Sequence, residues 1–190
     1  MNKFPRSAYV HIPFCHRRCF YCDFAVIPLG NKVETLQGYG SKTVKEYLHF
    51  LYKEILSIKH KSSLSTIYVG GGTPSILDPQ QIKQLIDLFK ENYGVDYGAE
   101  ITMEVDPASF NLDDLHGFIN AGINRFSLGV QSFDNQILQK SGRRHLREDA
   151  EKSCLWLKKV YSAGLIKSWS LDLIQNLPLS GLREWKEDLK

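Results

Sequence analysis

Short runs rich in β-branched and aromatic residues alternate along the chain with longer stretches whose apolar positions recur every three or four residues, which predicts strands alternating with amphipathic helices. The first two strands read Ala8-Tyr9-Val10-His11-Ile12 and Ser65-Thr66-Ile67-Tyr68-Val69. Between them Val44, Leu48, Leu51, Ile55 and Ile58 share one face of a helix. A glycine run, Gly70-Gly71-Gly72-Thr73-Pro74, stops the second strand. Asp78-Pro79 then caps and opens a helix carrying Ile82, Leu85, Ile86 and Phe89, which ends at Asn92-Tyr93-Gly94. A third strand is expected from Ala99 to Val105, a helix from about Asn111 to Asn120, and a fourth strand from Asn124 to Val130 after the Ala121-Gly122 turn. Beyond Gln131-Ser132-Phe133-Asp134 a helical stretch is interrupted at Ser141-Gly142 and resumes through Ala150, Leu155, Leu157 and Tyr161. A fifth strand is expected from Lys167 to Ile174 and a fifth helix from Leu182 to Lys190.

Repeated βα units call for right-handed crossovers and a parallel sheet, which leaves a barrel or a doubly wound sheet. Glu104, Gln131, Asp172 and the glycine run all fall at or near the C-terminal ends of predicted strands. Ligand sites occupy that edge in both architectures, but convergence from so many strands favours a barrel mouth. A closed eight-unit barrel needs about 250 residues. The expectation is therefore an α/β fold with a partial (β/α) barrel of about five βα units.

Composition adds limits. At 190 residues with 43% hydrophobic content the chain suits one domain, and no repeat or linker divides it. Lys and Arg number 24 against 21 Asp and Glu, a net charge of +3 that is far from the dense basic footprint of a nucleic-acid binder. No apolar run reaches the roughly 18 to 20 residues of a transmembrane segment. Met1 to Ser7 lead straight into the first strand with no room for an apolar signal region, so a soluble, cytoplasmic protein is expected.

Four cysteines are present, and three of them, Cys15, Cys19 and Cys22, crowd into one loop directly after the first strand. Spacing this tight in an unexported chain points to metal rather than to disulfides. Cys-x3-Cys-x2-Cys can hold three irons of a four-iron cluster and leave the fourth open to an exogenous molecule. Structural zinc is the alternative, a non-catalytic module, but it wants four closed ligands and a second cysteine knuckle. Cys154, between Ser153 and Leu155 in a helix, reads as a small buried apolar residue. His16, Arg17 and Arg18 would help keep the loop thiols ionised. His49, His60 and His116 read as surface histidines. No Gly-Lys-Ser/Thr follows the glycine run, which disfavours a phosphate loop, and close backbone approach to a ligand or a tight turn both remain open.

With Tyr21 just before the last cysteine, this spacing resembles the radical S-adenosylmethionine superfamily. The string Tyr9-Val10-His11-Ile12-Pro13-Phe14-Cys15 resembles its oxygen-independent coproporphyrinogen III oxidase family and that family's HemW-type haem-chaperone branch. The likeness continues through Gly70 to Ser75, Glu104-Val105-Asp106-Pro107, Asn124 to Asp134, Gly142-Arg143-Arg144-His145, and Asp172-Leu173-Ile174 with Leu177-Pro178.

The resemblance implies a TIM-like radical S-adenosylmethionine barrel with a 4Fe-4S cluster on Cys15, Cys19 and Cys22. In the family the open iron is chelated by S-adenosyl-L-methionine, which is cleaved to a 5′-deoxyadenosyl radical. Cofactor contacts carry over to Tyr9, Tyr21, Gly71, Gly72, Thr73, Glu104, Gln131, Arg143 and Asp172. Arg143 could pair with a carboxylate or belong to an exposed basic patch with Arg144 and Arg147. Oxidases of the family resemble Cys-x3-Cys-x2-Cys-x-Cys, whereas Cys22 is here followed by Asp23-Phe24, the chaperone form. Haem or a porphyrinogen, a haem-acceptor protein and an electron donor are the implied partners. The chaperone's His-Asn-x2-Tyr-Trp motif does not occur in these 190 residues. Residues 1–190 are thus expected to be the core domain, ending before a sixth strand and a covering C-terminal domain. Asn176 stands where the family usually has glycine.

Overall fold

The computed structural model describes residues 5–30, 39–58 and 62–189. Strand β1 (Ser7–Ile12) is followed by two short strands, β2 (Phe14–Cys15) and β3 (Ile27–Pro28), which pair with each other and bracket the cysteine loop. Helix α1 (Tyr39–Ser57) leads to β4 (Leu64–Gly71), α2 (Pro79–Asn92), β5 (Val95–Val105) and α3 (Leu112–Ala121). Then come β6 (Arg125–Gln131), α4 (Asn135–Lys140), α5 (Arg147–Ser162), β7 (Ser168–Leu173) and α6 (Leu182–Asp188).

Five of the strands form one sheet in the order β1-β4-β5-β6-β7, and every pairing is parallel. The order never reverses, so the switch point that defines a doubly wound sheet is absent from it, and the arrangement is that of a partial barrel. Alternation along each strand divides the two faces. Val10 and Ile12, Ile67 and Val69, Ile101, Met103 and Val105, and Phe126, Leu128 and Val130 point under the helices, each at most 5% exposed. They share one apolar core with Leu48, Ile55, Leu85, Ile86, Leu115, Phe118 and Leu157 of the helices. Each such side chain contributes about 1.5–3 kcal/mol by leaving water.

The other face is polar. Tyr68 donates to Glu104 at 2.8 Å, and Ser127 lies 3.0 Å from Ser170 and 3.1 and 3.0 Å from the two oxygens of Asp172. A barrel interior of this kind is usually filled by branched apolar side chains; here it is a hydrogen-bonded network beneath the C-terminal edge.

Helix caps follow the sequence signals. Asp78 and Gln81 close a capping box over α2, with Gln80 N donating to Asp78 at 2.7 Å and Asp78 N to Gln81 at 2.9 Å. Most element ends move by one or two residues from expectation, and three further differences stand out. β5 starts at Val95 rather than Ala99, because Leu64 pairs with Val95 before a register shift. Ile58 lies past the end of α1 and is 51% exposed, so it takes no part in that helix's apolar face. The last helix stops at Asp188 and buries no residue. His60 lies outside the described residues, while His49 and His116 are exposed.

Candidate functional site

The cysteine loop is fastened at both ends and in the middle. Ile27 N and Leu29 N donate to Pro13 O and Cys15 O at 2.6 and 2.8 Å, which closes its base. Gly72 N and Thr73 N donate to Ile12 O and Phe14 O at 2.8 and 2.7 Å, which joins it to the glycine run. Phe20 N donates to Ser141 O at 3.0 Å. Phe20 then lies so close to Gly142 that an added Cβ would meet its ring at 3.4 Å. Within the loop Arg18 Nε donates to Cys22 O at 3.0 Å, and Arg17 donates to the carbonyl of Arg143.

A cavity of about 550 Å³ opens at the C-terminal edge, in the size range of small-molecule sites. Cys15, Cys19, Cys22, Tyr21, Gly71, Gly72, Thr73, Glu104, Gln131, Arg143 and Asp172 all line it. Tyr9 does not line it. Its ring is stacked on Tyr68 with centroids 6.0 Å apart and is 61% exposed, one side chain removed from Glu104.

The glycine run is demanded by the chain's own atoms. A Cβ at Gly72 would stand 2.6 Å from Phe14 O and 2.9 Å from Cys15 Sγ, and one at Gly71, whose φ is +119°, would meet the His11 ring at 2.8 Å. Only glycine lets the cysteine loop sit against β4 in this way. Glu104 bridges the run to β5, accepting from Tyr68 at 2.8 Å and from Gly71 N at 3.0 Å. Burial holds its carboxyl above the ordinary carboxylate value, against the lowering by those two donors.

Arg143 is nine-tenths buried and ion-paired with Asp106, so the exposed-patch reading fails for it and holds for Arg144. Its Nη2 also donates to Gly129 O at 2.7 Å, and Nη1 lies 3.7 Å from Cys19 Sγ. Burial opposes its charge, but Asp106, Tyr21 and Cys19 outweigh that and hold the guanidinium protonated. Tyr21 keeps 37% of its surface exposed while its hydroxyl reaches Cys19 and Arg143, and burial of that hydroxyl raises its pKa. The Cys15 thiol is pushed up, first by burial and then by Cys19, Cys22 and Asp106, with only the Thr73 hydroxyl at 3.5 Å pulling it down. Arg17 and Arg18 direct their guanidinium groups to the carbonyls of Arg143 and Cys22 and keep their positive charge within the loop region.

Several site residues carried no individual signal in the sequence. Asp106 sat in a recognised string but gained meaning only from its contact with Arg143. His145 is 1% exposed, its Nε2 3.0 Å from Val130 O and its Nδ1 3.2 Å from Arg143 Nη2, and burial lowers its pKa to about 4. His11 bridges Tyr9 at 3.1 Å and Ala25 O at 2.9 Å. Gln131 has φ +71° where the β6–β7 register shifts, and its amide folds back over Gly129. Asn176 holds φ +63°, so it keeps the left-handed turn for which glycine is the usual residue. Cys154 is only partly buried and edges a second groove between α5 and α6.

The donors fit a cluster. All four cysteines are free, and three of the thiols line one cavity beside backbone that no Cβ could approach. Among the described residues no three His, Cys, Asp or Glu side chains converge as the donors of a single ion would. A four-iron cluster takes each thiolate on a different iron and needs no such convergence, unlike zinc. No helix among the described residues is long and apolar enough to cross a membrane.

Comparison with known proteins adds the following. The profile described as the Radical SAM superfamily matches residues 9–170. The haem chaperone HemW of Synechocystis sp. is 40% identical over 186 residues, 97% of this chain and 43% of that protein. The oxygen-independent coproporphyrinogen III oxidase of Salmonella typhimurium is 36% identical over 180 residues, 92% and 36% of the two chains. Among solved structures, coproporphyrinogen III oxidase (HemN) from Escherichia coli, a radical SAM enzyme, superposes with a TM-score of 0.80 at 32% identity, over 96% of this chain and 40% of that one. The chain thus spans less than half the length of each of these relatives.

Proposed function

The chain belongs to the radical SAM superfamily, which implies a 4Fe-4S cluster and S-adenosyl-L-methionine, and from that premise we propose that it serves as a cytoplasmic haem chaperone of the HemW type, binding haem and passing it to an acceptor protein. The observation that carries the reading is the single cavity shared by the three loop thiols, the glycine run and the polar ends of β5, β6 and β7. Cys15, Cys19 and Cys22 would hold the cluster, which when bound supplies the electron that cleaves the sulfonium of its ligand. The remaining residues bind and orient. Gly71, Gly72 and Thr73 bring bare backbone to the ligand, and Glu104 presents carboxylate oxygens whose spare lone pairs accept from an ammonium. Gln131 and Asp172 offer polar atoms to hydroxyls, Arg143 sets a positive charge at the cavity wall that a carboxylate can meet, and Tyr21 walls the loop side. Tyr9 acts from the adjoining face through Tyr68.

Asp23 after Cys22 supports the chaperone over the oxidase. The second reading, decarboxylation of a porphyrinogen with help from an electron donor, is supported by the likeness to the Escherichia coli oxidase. Anaerobic reconstitution separates the outcomes. Iron uptake with a spectrum that shifts on adding S-adenosyl-L-methionine, and stoichiometric haem binding without vinyl product, is the expected result. Vinyl product from coproporphyrinogen would establish the oxidase, and zinc uptake without iron would reject both. Cys19→Ser is expected to abolish cluster loading; full iron content in that variant would refute the ligand assignment.

A further inference from the structure

Arg143 lies 124 residues beyond Cys19 in the sequence, yet its Nη1 stands 3.7 Å from Cys19 Sγ, within N–H···S range. Its other donors are already committed. Nη2 takes Asp106 and Gly129 O, and both Nε and Nη2 reach His145 Nδ1, at 3.4 and 3.2 Å. His145 Nε2 faces Val130 O at 3.0 Å, a carbonyl that can only accept; Nε2 therefore carries the proton and Nδ1 is the acceptor. The guanidinium is thereby gripped on one edge by β6, Asp106 and His145, and its other edge is turned to the cysteine loop, where the Tyr21 hydroxyl also meets it. The same residue's carbonyl accepts from Arg17 of that loop. Arg143 and Asp106 are 11% and 21% exposed, so their pairing is shielded from water.

A hydrogen bond to a ligating sulfur is one of the means by which a protein sets the potential of an iron–sulfur cluster, because it withdraws electron density from the thiolate and favours the reduced form. Resting on the reading of Cys19 as a cluster ligand, we propose that Arg143 is a redox-positioning residue: aimed by Asp106, it donates N–H···S to the Cys19 thiolate and raises the reduction potential of the bound cluster. Aim and charge make separable predictions. Lysine at 143 keeps the positive charge but lacks the fork that holds Asp106, Gly129 O and the sulfur together. Asparagine at 106 removes a negative charge, which by electrostatics alone raises the potential, but it also releases the guanidinium from its aim.

The test is a potentiometric titration, followed by electron paramagnetic resonance, of the anaerobically reconstituted full chain and of Arg143→Lys and Asp106→Asn. Both variants are expected to move the midpoint to more negative potential. The expected size for Arg143→Lys is about a tenfold change in the ratio of reduced to oxidised cluster at fixed potential, about 59 mV for one electron. An unchanged midpoint in Arg143→Lys, or a positive shift in Asp106→Asn, overturns the proposal. If Arg143→Lys loads no iron, the sign of the shift in Asp106→Asn decides. Failure of the unsubstituted chain to load iron would instead sink the cluster reading itself, and this inference with it.

Discussion

The two faces of the five-stranded sheet are put to different uses. Under the helices, Phe126, Leu128 and Val130 of β6 are each 0% exposed and belong to the apolar core. One residue along the same strand, Ser127 and Gly129 face Asp172 and Arg143. A parallel sheet covered on both sides normally reads as a continuous apolar run. Here alternate positions are given to different tasks, so stability and chemistry are encoded in the same few residues without competing for them.

Core truncation is the strongest way to test that division. Phe126→Ala is expected to destabilise the fold by about 3–5 kcal/mol, because the cavity it leaves is walled by strands and helices that cannot collapse into it. Denaturant unfolding of the apo chain measures this; a loss below about 1 kcal/mol would mean that the covered face is not the stabilising one. A smaller effect tests the boundary between the faces, where His145 is buried neutral with its pKa lowered to about 4 from 6.5. Between about pH 6.5 and 4 the unfolded chain binds the imidazole proton and the folded chain does not. Stability therefore falls as the pH falls, by up to about 3 kcal/mol at pH 4. His145→Gln should flatten that part of the pH profile. The smallest effect belongs to the polar face. Ser127→Ala removes the hydroxyl that donates to the exposed Asp172, where water can replace it, and that lies 3.0 Å from the Ser170 hydroxyl, so about 1 kcal/mol is expected. A cost as large as that of Phe126→Ala would erase the comparison.

Most of the covered face was legible in the sequence, because burial under a helix imposes a local, periodic pattern. Val44, Leu48 and Ile55 of α1 and Ile82, Leu85, Ile86 and Phe89 of α2 are all buried as their spacing predicts. The cap at Asp78 was legible for the same reason, since it acts within one turn, although its reciprocal partner Gln81 was not read from the sequence. The polar face was legible in part. Glu104, Gln131 and Asp172 stood out because a polar residue at a strand's C-terminal end is visible without its partners. The partners were not, since Tyr68 is 36 residues from Glu104 and Asp106 is 37 from Arg143, distances over which no periodicity carries information. The reason for the glycine run was also hidden. Its glycines give way to Phe14, Cys15 and His11, contacts that exist only once β1 and β4 are paired.

The reach of 124 residues between Cys19 and Arg143 has a consequence for biosynthesis. At about 5–20 residues per second, a ribosome needs roughly 6 to 25 s to travel from the first of these codons to the second. During that interval the sulfur atoms have emerged without the arginine that later lies over them. Protection of the nascent thiols from oxidants, and any delivery of iron to them, must be reckoned against that delay rather than against the finished molecule.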